Sequence, residues 1–192
     1  MKGERSLSDV FREFLTKDAE FSLAKEIVLQ NSTGRNWLIG GYLYRSLAYL
    51  LYGTLRPSVD FDFVVEEPRE KTVLPVSFEL KENRYDNPKF VGKTFSIDFV
   101  PLATIHSINR RRLKPTIENY LTGTPLTIQS IAYEIGTNRL IGDVGIRALL
   151  YKEVGVNNLS QVRIYAEKKG LSVEDIIRKK AESLRFKPVI PQ

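Results

Sequence analysis

The sequence predicts an α/β (α+β) domain: a small mixed sheet backed by helices, with helical extensions at both ends. Three observations carry this. An apolar run, "NWLI", halts at Gly40 and Gly41 and is followed by a second apolar stretch too long for a strand. Val59, Phe61 and Phe63 then alternate with Asp60 and Asp62 at the two-residue period of a strand. Beyond Gly145 the apolar residues return at helical spacing to the end.

Residues 8–30 read as two helices or one broken helix, with Asp18 as the cap of the second segment. "NWLI" is a short buried strand, and residues 42–52 form a buried helix that stops at Gly53. "SVDFDFVVEE" is the alternating strand. "TVLPVSFEL" and "KTFSIDFVPL" are further strands, separated by a polar loop, and the second sets Asp98 between Ile97 and Phe99. Residues 115–135 combine a short helix with an apolar one, and three helical segments complete the chain. The expected organisation is a head over residues 1–150 and a lysine-rich helical extension over 151–192.

With 192 residues, 42% of them hydrophobic, the chain can bury one core with a small appendage. It has no cysteine and a single histidine, His106, which excludes disulfides, thiolate metal sites and multi-histidine zinc within one chain. Any metal must be held by oxygen. The start, "MKGERSLSDVFREF", lacks the apolar core of a signal peptide, and no stretch is long enough to span a bilayer, so a cytoplasmic protein without membrane contact is expected. A net charge of +6 favours an anionic partner, with a nucleotide, an RNA and simple solubility all compatible.

Asp60 and Asp62 share one strand face, about 7 Å apart along the chain. Unpaired burial of two carboxylates costs several kcal/mol, so a cation must answer them, either Mg²⁺ or arginine. Asp98 from a neighbouring strand would complete an all-oxygen set suited to two Mg²⁺ ions about 4 Å apart, the arrangement that serves phosphoryl transfer. A glycine pair at a strand-to-helix junction lets a phosphate approach the backbone and the N–H groups of a helix start. The plainer reading makes the carboxylates a solvent face and the glycines a turn; the order strand, glycine pair, helix, carboxylate strand favours the pocket.

These residues resemble the nucleotidyltransferase superfamily of DNA polymerase β type, and within it the head of class II CCA-adding tRNA nucleotidyltransferases and bacterial poly(A) polymerases. "LIGGYLYRSLAYLLYGTLRPSVDFDFVV" is similar to that family's opening motif, with Gly40, Gly41, Asp60 and Asp62 matching position by position and a helix about one turn longer. "TIENYLTGTPLTIQSIAY", Thr116 to Tyr133, aligns without a gap to the family's Thr-Leu-Glu-x-x-Leu-x-Arg-Arg-Asp-Phe-Thr-Ile-Asn-Ala-Leu-Ala-Tyr, and the likeness runs on through "NRLIGDVGIRALLYKEV". Together they span roughly residues 35–152. The departures are sharp: the family's Arg-Arg-Asp falls on Gly123, Thr124 and Pro125, and its Arg-Asp after the glycines becomes a shifted Arg45 followed by Ser46.

The resemblance implies a nucleotidyltransferase fold and Mg²⁺-dependent transfer of a nucleoside monophosphate from an NTP to a hydroxyl acceptor, foremost an RNA 3′ end. Asp60, Asp62 and Asp98 would be the catalytic carboxylates and ligands of two Mg²⁺ ions. Gly40 and Gly41 would cradle the triphosphate, and Arg45, Arg110, Arg111 and Arg112 are the cations available to neutralise it. The family's base-reading Glu-Asp-x-x-Arg has a counterpart in Glu174, Asp175 and Arg178, although Ser172 with Asp175 also makes a capping box and Glu174 with Arg178 an i,i+4 pair. The last residues resemble the start of a neck, and their apolar helices leave room for self-association. Two other readings stay open: a catalytically degenerate relative that binds RNA or protein, and a minimal transferase acting on a protein.

Overall fold

The computed structural model describes residues 6–54, 59–83 and 85–191. The link between the first helix-strand unit and the carboxylate strand, and the first five residues of the N-terminal stretch, lie outside them.

Two helices open the chain, α1 (Leu7–Thr16) and α2 (Ala19–Asn31), and the break between them is at Asp18, whose carboxylate accepts from the Phe21 N–H at 2.8 Å. Strand β1 (Ser32–Ile39) runs straight into α3 (Gly40–Tyr52), which ends at Gly53 in the left-handed conformation, φ +62°. The alternating segment is β2 (Asp60–Pro68); Val59 precedes it and is exposed. Strands β3 (Glu79–Glu82), β4 (Pro88–Val91) and β5 (Ser96–Pro101) follow. After short helices α4 (His106–Arg110) and α5 (Ile117–Leu121) come β6 (Ala132–Glu134) and β7 (Arg139–Ile141), then α6 (Asp143–Tyr151), β8 (Glu153–Val154), α7 (Leu159–Lys169), α8 (Val173–Leu184) and β9 (Lys187–Pro188).

Seven strands form one sheet in the order β3-β4-β5-β2-β1-β6-β7; β2 and β5 are its parallel pair, and the other pairings are antiparallel. Three local expectations are corrected. "TVLPVSFEL" contributes only the start of β3, because Pro75 sits in a turn where its missing N–H costs nothing. The loop before Asp98 contains β4. The apolar helix expected up to residue 135 is instead a 3-10 turn at Thr127–Gln129 followed by β6, which pairs with β1. Its helical period reflects residues buried from both sides of the sheet.

The sheet divides two cores. Phe61 and Phe63 of β2 point into the larger one, with Phe11, Ile27, Leu43 and Leu47 from α1, α2 and α3 and Ile177 and Leu184 from α8. Val64 points the other way, to Trp37, Ile39, Ile105, Ile108, Ile117 and Leu121. The face carrying Asp60 and Asp62 is therefore the one that α4 and α5 only partly cover. That explains how a core strand tolerates two carboxylates: its second face is core at Val64 and open beyond it.

Helix α7 is fixed over this opening. At its start, Asn157 Nδ2 donates to Leu121 O, Thr124 O and Thr124 Oγ1 at 2.9–3.0 Å, and Asn158 Nδ2 donates to Thr122 O at 3.0 Å. Beyond α8, β9 pairs in parallel with β8, with Lys187 N–H donating to Lys152 O at 2.7 Å and Val189 N–H to Val154 O at 2.8 Å.

Candidate functional site

The glycine pair and the carboxylate strand meet. Gly40 stands at φ +74°, a conformation that favours glycine, and a Cβ placed there would collide with the carboxylate of Asp62. Helix α3 has no side-chain cap of its own at Ile39. Instead Asp62 accepts a hydrogen bond from the Gly41 N–H, so a carboxylate from β2 serves the open end of α3.

Asp62 faces Asp98 across the parallel β2–β5 pair, register partners on one side of the sheet. Burial and then the charge of Asp98 push the Asp62 carboxyl up to about 6; the Gly41 N–H and Lys89 pull the other way, and Asp60 adds a little to the rise. Tyr120 lies over the same region, and burial, with the Asp62 charge second, pushes its phenol up.

Each of the three carboxylates has a donor from the protein. Ser96 Oγ donates to Asp60 Oδ1 at 2.7 Å, with Asp60 exposed. Asp98 is held at both oxygens, by Asn83 Nδ2 at 2.9 Å and by Lys89 Nζ at 3.1 Å. Among the described residues no group of three or more acidic or histidine side chains is gathered to hold a metal. The set expected for two Mg²⁺ ions does not fit: Asp98 already pairs with a lysine. The carboxylates not held by a lysine suit at most one hydrated divalent ion, which keeps several waters and needs one or two carboxylates.

Asp62, Gly40 and Gly41 border a cleft of about 400 Å³. Its further walls are Tyr85 and Asn87; His106 and Arg110 of α4; the segment Gly123, Thr124 and Pro125; and Gln161, Tyr165 and Lys168 of α7. Lys168 Nζ lies 5.1 Å from the centre of the Tyr85 ring, which in turn sits 6.0 Å from His106.

The four expected arginines separate. Arg110 is exposed at the cleft. Arg111 is structural: Nε donates to Ser107 O at 2.8 Å, Nη1 to Thr122 Oγ1 at 3.0 Å and Nη2 to Asn119 O. Burial pulls its guanidinium down. Arg112 is exposed, and neither it nor Arg45 borders the cleft. Asp175 and Arg178 lie away from it too: Asp175 closes a capping box with Ser172, and Arg178 Nε donates to Glu174 at 2.7 Å.

The Gly-Thr-Pro segment that stands where the resemblance has Arg-Arg-Asp carries a structural function. A Cβ at Gly123 would strike the Arg111 guanidinium and the Ser107 hydroxyl. Thr124 is buried and accepts from Asn157, and Pro125 O accepts from the N–H groups of Asn157 and Asn158. Sequence reasoning passed over Gln161, Tyr165 and Lys168. Their i, i+4, i+7 spacing was the available signal, but it reads equally as a solvated helix face.

The sheet order, the glycine-led helix and the carboxylate strand define a nucleotidyltransferase type of fold. Solved structures share it. A CCA-adding enzyme in complex with CTP matches with a TM-score of 0.62 at 19% identity, over 98% of this chain and 44% of that one. A CCA-adding enzyme in complex with ATP gives 0.61 at 19%, over 96% and 42%, and the Thermotoga maritima CCA-adding enzyme complexed with tRNA gives 0.59 at 17%, over 98% and 43%. The chain thus spans less than half the length of these enzymes. The sequence matches no family model and no curated protein.

Proposed function

We propose that the chain transfers a nucleoside monophosphate from an NTP to a hydroxyl acceptor, and that this acceptor is an RNA 3′ end. The observation that carries the reading is the Gly40–Asp62 junction, which brings a helix N-terminus and a carboxylate together at one wall of a cleft of nucleotide size. The fold shared with CCA-adding enzymes solved with CTP, ATP and tRNA supports the same class.

In this reading the first-turn N–H groups of α3 other than that of Gly41, which Asp62 takes, receive phosphate oxygens, helped by the partial positive charge of the helix end. Arg110 and Lys168 neutralise the phosphates from the opposite walls, and Tyr165 and Gln161 meet the nucleoside. Asp62, with Asp60 beside it on β2, would hold a Mg²⁺ that enters with the triphosphate. That ion would supply charge neutralisation for the departing pyrophosphate. The acceptor hydroxyl's proton would pass to water in the cleft, because a carboxylate that holds the ion no longer has the proton affinity Asp62 shows without it. The basic surface, net charge +6 over the chain, favours RNA as the anionic acceptor.

A second reading is favoured by two observations, the Lys89–Asp98 pair and the structural use of Gly123–Pro125. It makes the chain a nucleotide- or RNA-binding module without transfer. Incubation with each labelled NTP, Mg²⁺ and a tRNA lacking its 3′ CCA separates the two. Label incorporation that falls at least about 100-fold in Asp62→Ala supports transfer. NTP binding without incorporation supports the module.

A further inference from the structure

The β3–β4 hairpin aims two donors at Asp98. Antiparallel pairing of β4 with β5 sets Lys89 opposite Asp98, and the ammonium reaches Oδ2 at 3.1 Å. Asn83, at the start of the hairpin's turn, donates to Oδ1 at 2.9 Å. Asn83 is itself fixed, because its Oδ1 accepts from the N–H groups of Tyr85 at 2.9 Å and Asn87 at 3.2 Å. The pair is sheltered, with 30% of the Lys89 side chain and 21% of the Asp98 side chain exposed. A surface pair of freely moving chains would contribute little, but a strand-held pair beside a second buried carboxylate neutralises charge where repulsion is greatest.

We propose that Lys89 is a resident cation of the carboxylate face, standing where a second divalent ion would bind. With Asp60, Asp62 and Asp98 ionised and Lys89 charged, the face carries a net charge near −2, which one divalent ion balances. A second ion would have to displace both donors of Asp98, the Lys89 ammonium and the Asn83 amide. The chain therefore takes at most one divalent ion at these carboxylates. Removing the ammonium leaves a net charge near −3 and opens Asp98 to a second ion. The inference deepens the proposed function but depends on the carboxylate face alone, since no nucleotide or transfer step enters it.

The test is Mn²⁺ titration of the full chain without nucleotide, with free Mn²⁺ read by its electron paramagnetic resonance signal. Wild type is expected to take up no more than one ion per chain. Lys89→Met should take up one more than wild type. Lys89→Arg should keep the wild-type number, and Lys89→Met/Asp98→Asn should lose the gain. Lys89→Gln provides the same comparison if the methionine variant does not fold. Two ions on wild type, or equal numbers on wild type and the uncharged variants, overturn the proposal. Absence of nucleotidyl transfer with the expected ion counts overturns the proposed activity and leaves this inference standing.

Discussion

Gly40 and Asp62 occupy one space: the missing side chain of the first makes room for the carboxylate of the second, which then accepts from the next N–H along the helix. Neither residue can change without the other responding. Gly40→Ala brings both a φ of +74° unsuited to alanine and a collision with Asp62. It is expected to cost about 2 kcal/mol or more in thermal or urea unfolding and to abolish measurable NTP binding by calorimetry. Gly41→Ala has no such collision, since its nearest neighbour would be the Tyr44 hydroxyl at 3.8 Å, and should leave stability unchanged or raise it by up to about 1 kcal/mol.

Asp62 makes stability depend on pH in a defined direction. Its carboxyl titrates at about 6 in the folded chain against an ordinary value of 3.8. Between those values the folded state holds the extra proton, so this contribution is complete below about pH 4 and is lost as pH rises through about 6. The groups around it are Asp98 and Asp60, which raise the value, Lys89 and the Gly41 N–H, which lower it, and the Tyr120 phenol. Asp62→Asn keeps an acceptor for Gly41 and removes the charge. Its melting temperature should exceed wild type by roughly 2–6 °C at pH 8, corresponding to about 1–2 kcal/mol, and match it at pH 4.

Adjacent arginines should fail differently. Arg111→Ala loses three hydrogen bonds, two of which tie the end of α4 to α5 and its C-cap, and should cost about 2–3 kcal/mol in a denaturant melt. Arg110→Ala should leave stability within about 0.5 kcal/mol and weaken NTP binding about 10-fold. Gly123→Arg, which would put back an arginine of the family pattern, should destabilise the chain, because its side chain must begin inside Arg111.

Nucleotide preference should follow α7 and not α8. Tyr165→Ala and Gln161→Ala, both at the cleft, should each change the affinity for at least one NTP about 5- to 10-fold. Asp175→Ala should lower the melting temperature slightly through its lost capping box and leave the order of NTP affinities unchanged. Competitive binding of the four NTPs to the three variants decides it.

Much of the fold was legible because its signals are local. The Asp18 cap, the Gly53 stop and the alternation of β2 each depend on a few neighbouring residues, and all three hold. The β6–β7 hairpin was not legible, since strands of three residues exist only through pairing, β6 with β1 and β7 with β6. The site divides along the same line. Gly40, Gly41 and Asp62 are placed by one junction and could be read from the chain. That Lys89 neutralises Asp98 depends on the register of a hairpin with a polar turn, and that Arg111 supports Gly123 depends on a contact between two loops; neither leaves a periodic trace.

Helix α7 is moored twice, by Asn157 and Asn158 to the Gly-Thr-Pro segment and through α8 by the β8–β9 ladder. Swinging this wall outward means breaking the amide hydrogen bonds of Asn157 and Asn158 or the β8–β9 pairing. Widening the aperture above Asp62 therefore costs bonds, whereas moving side chains such as Lys168 and Tyr85 at its rim does not.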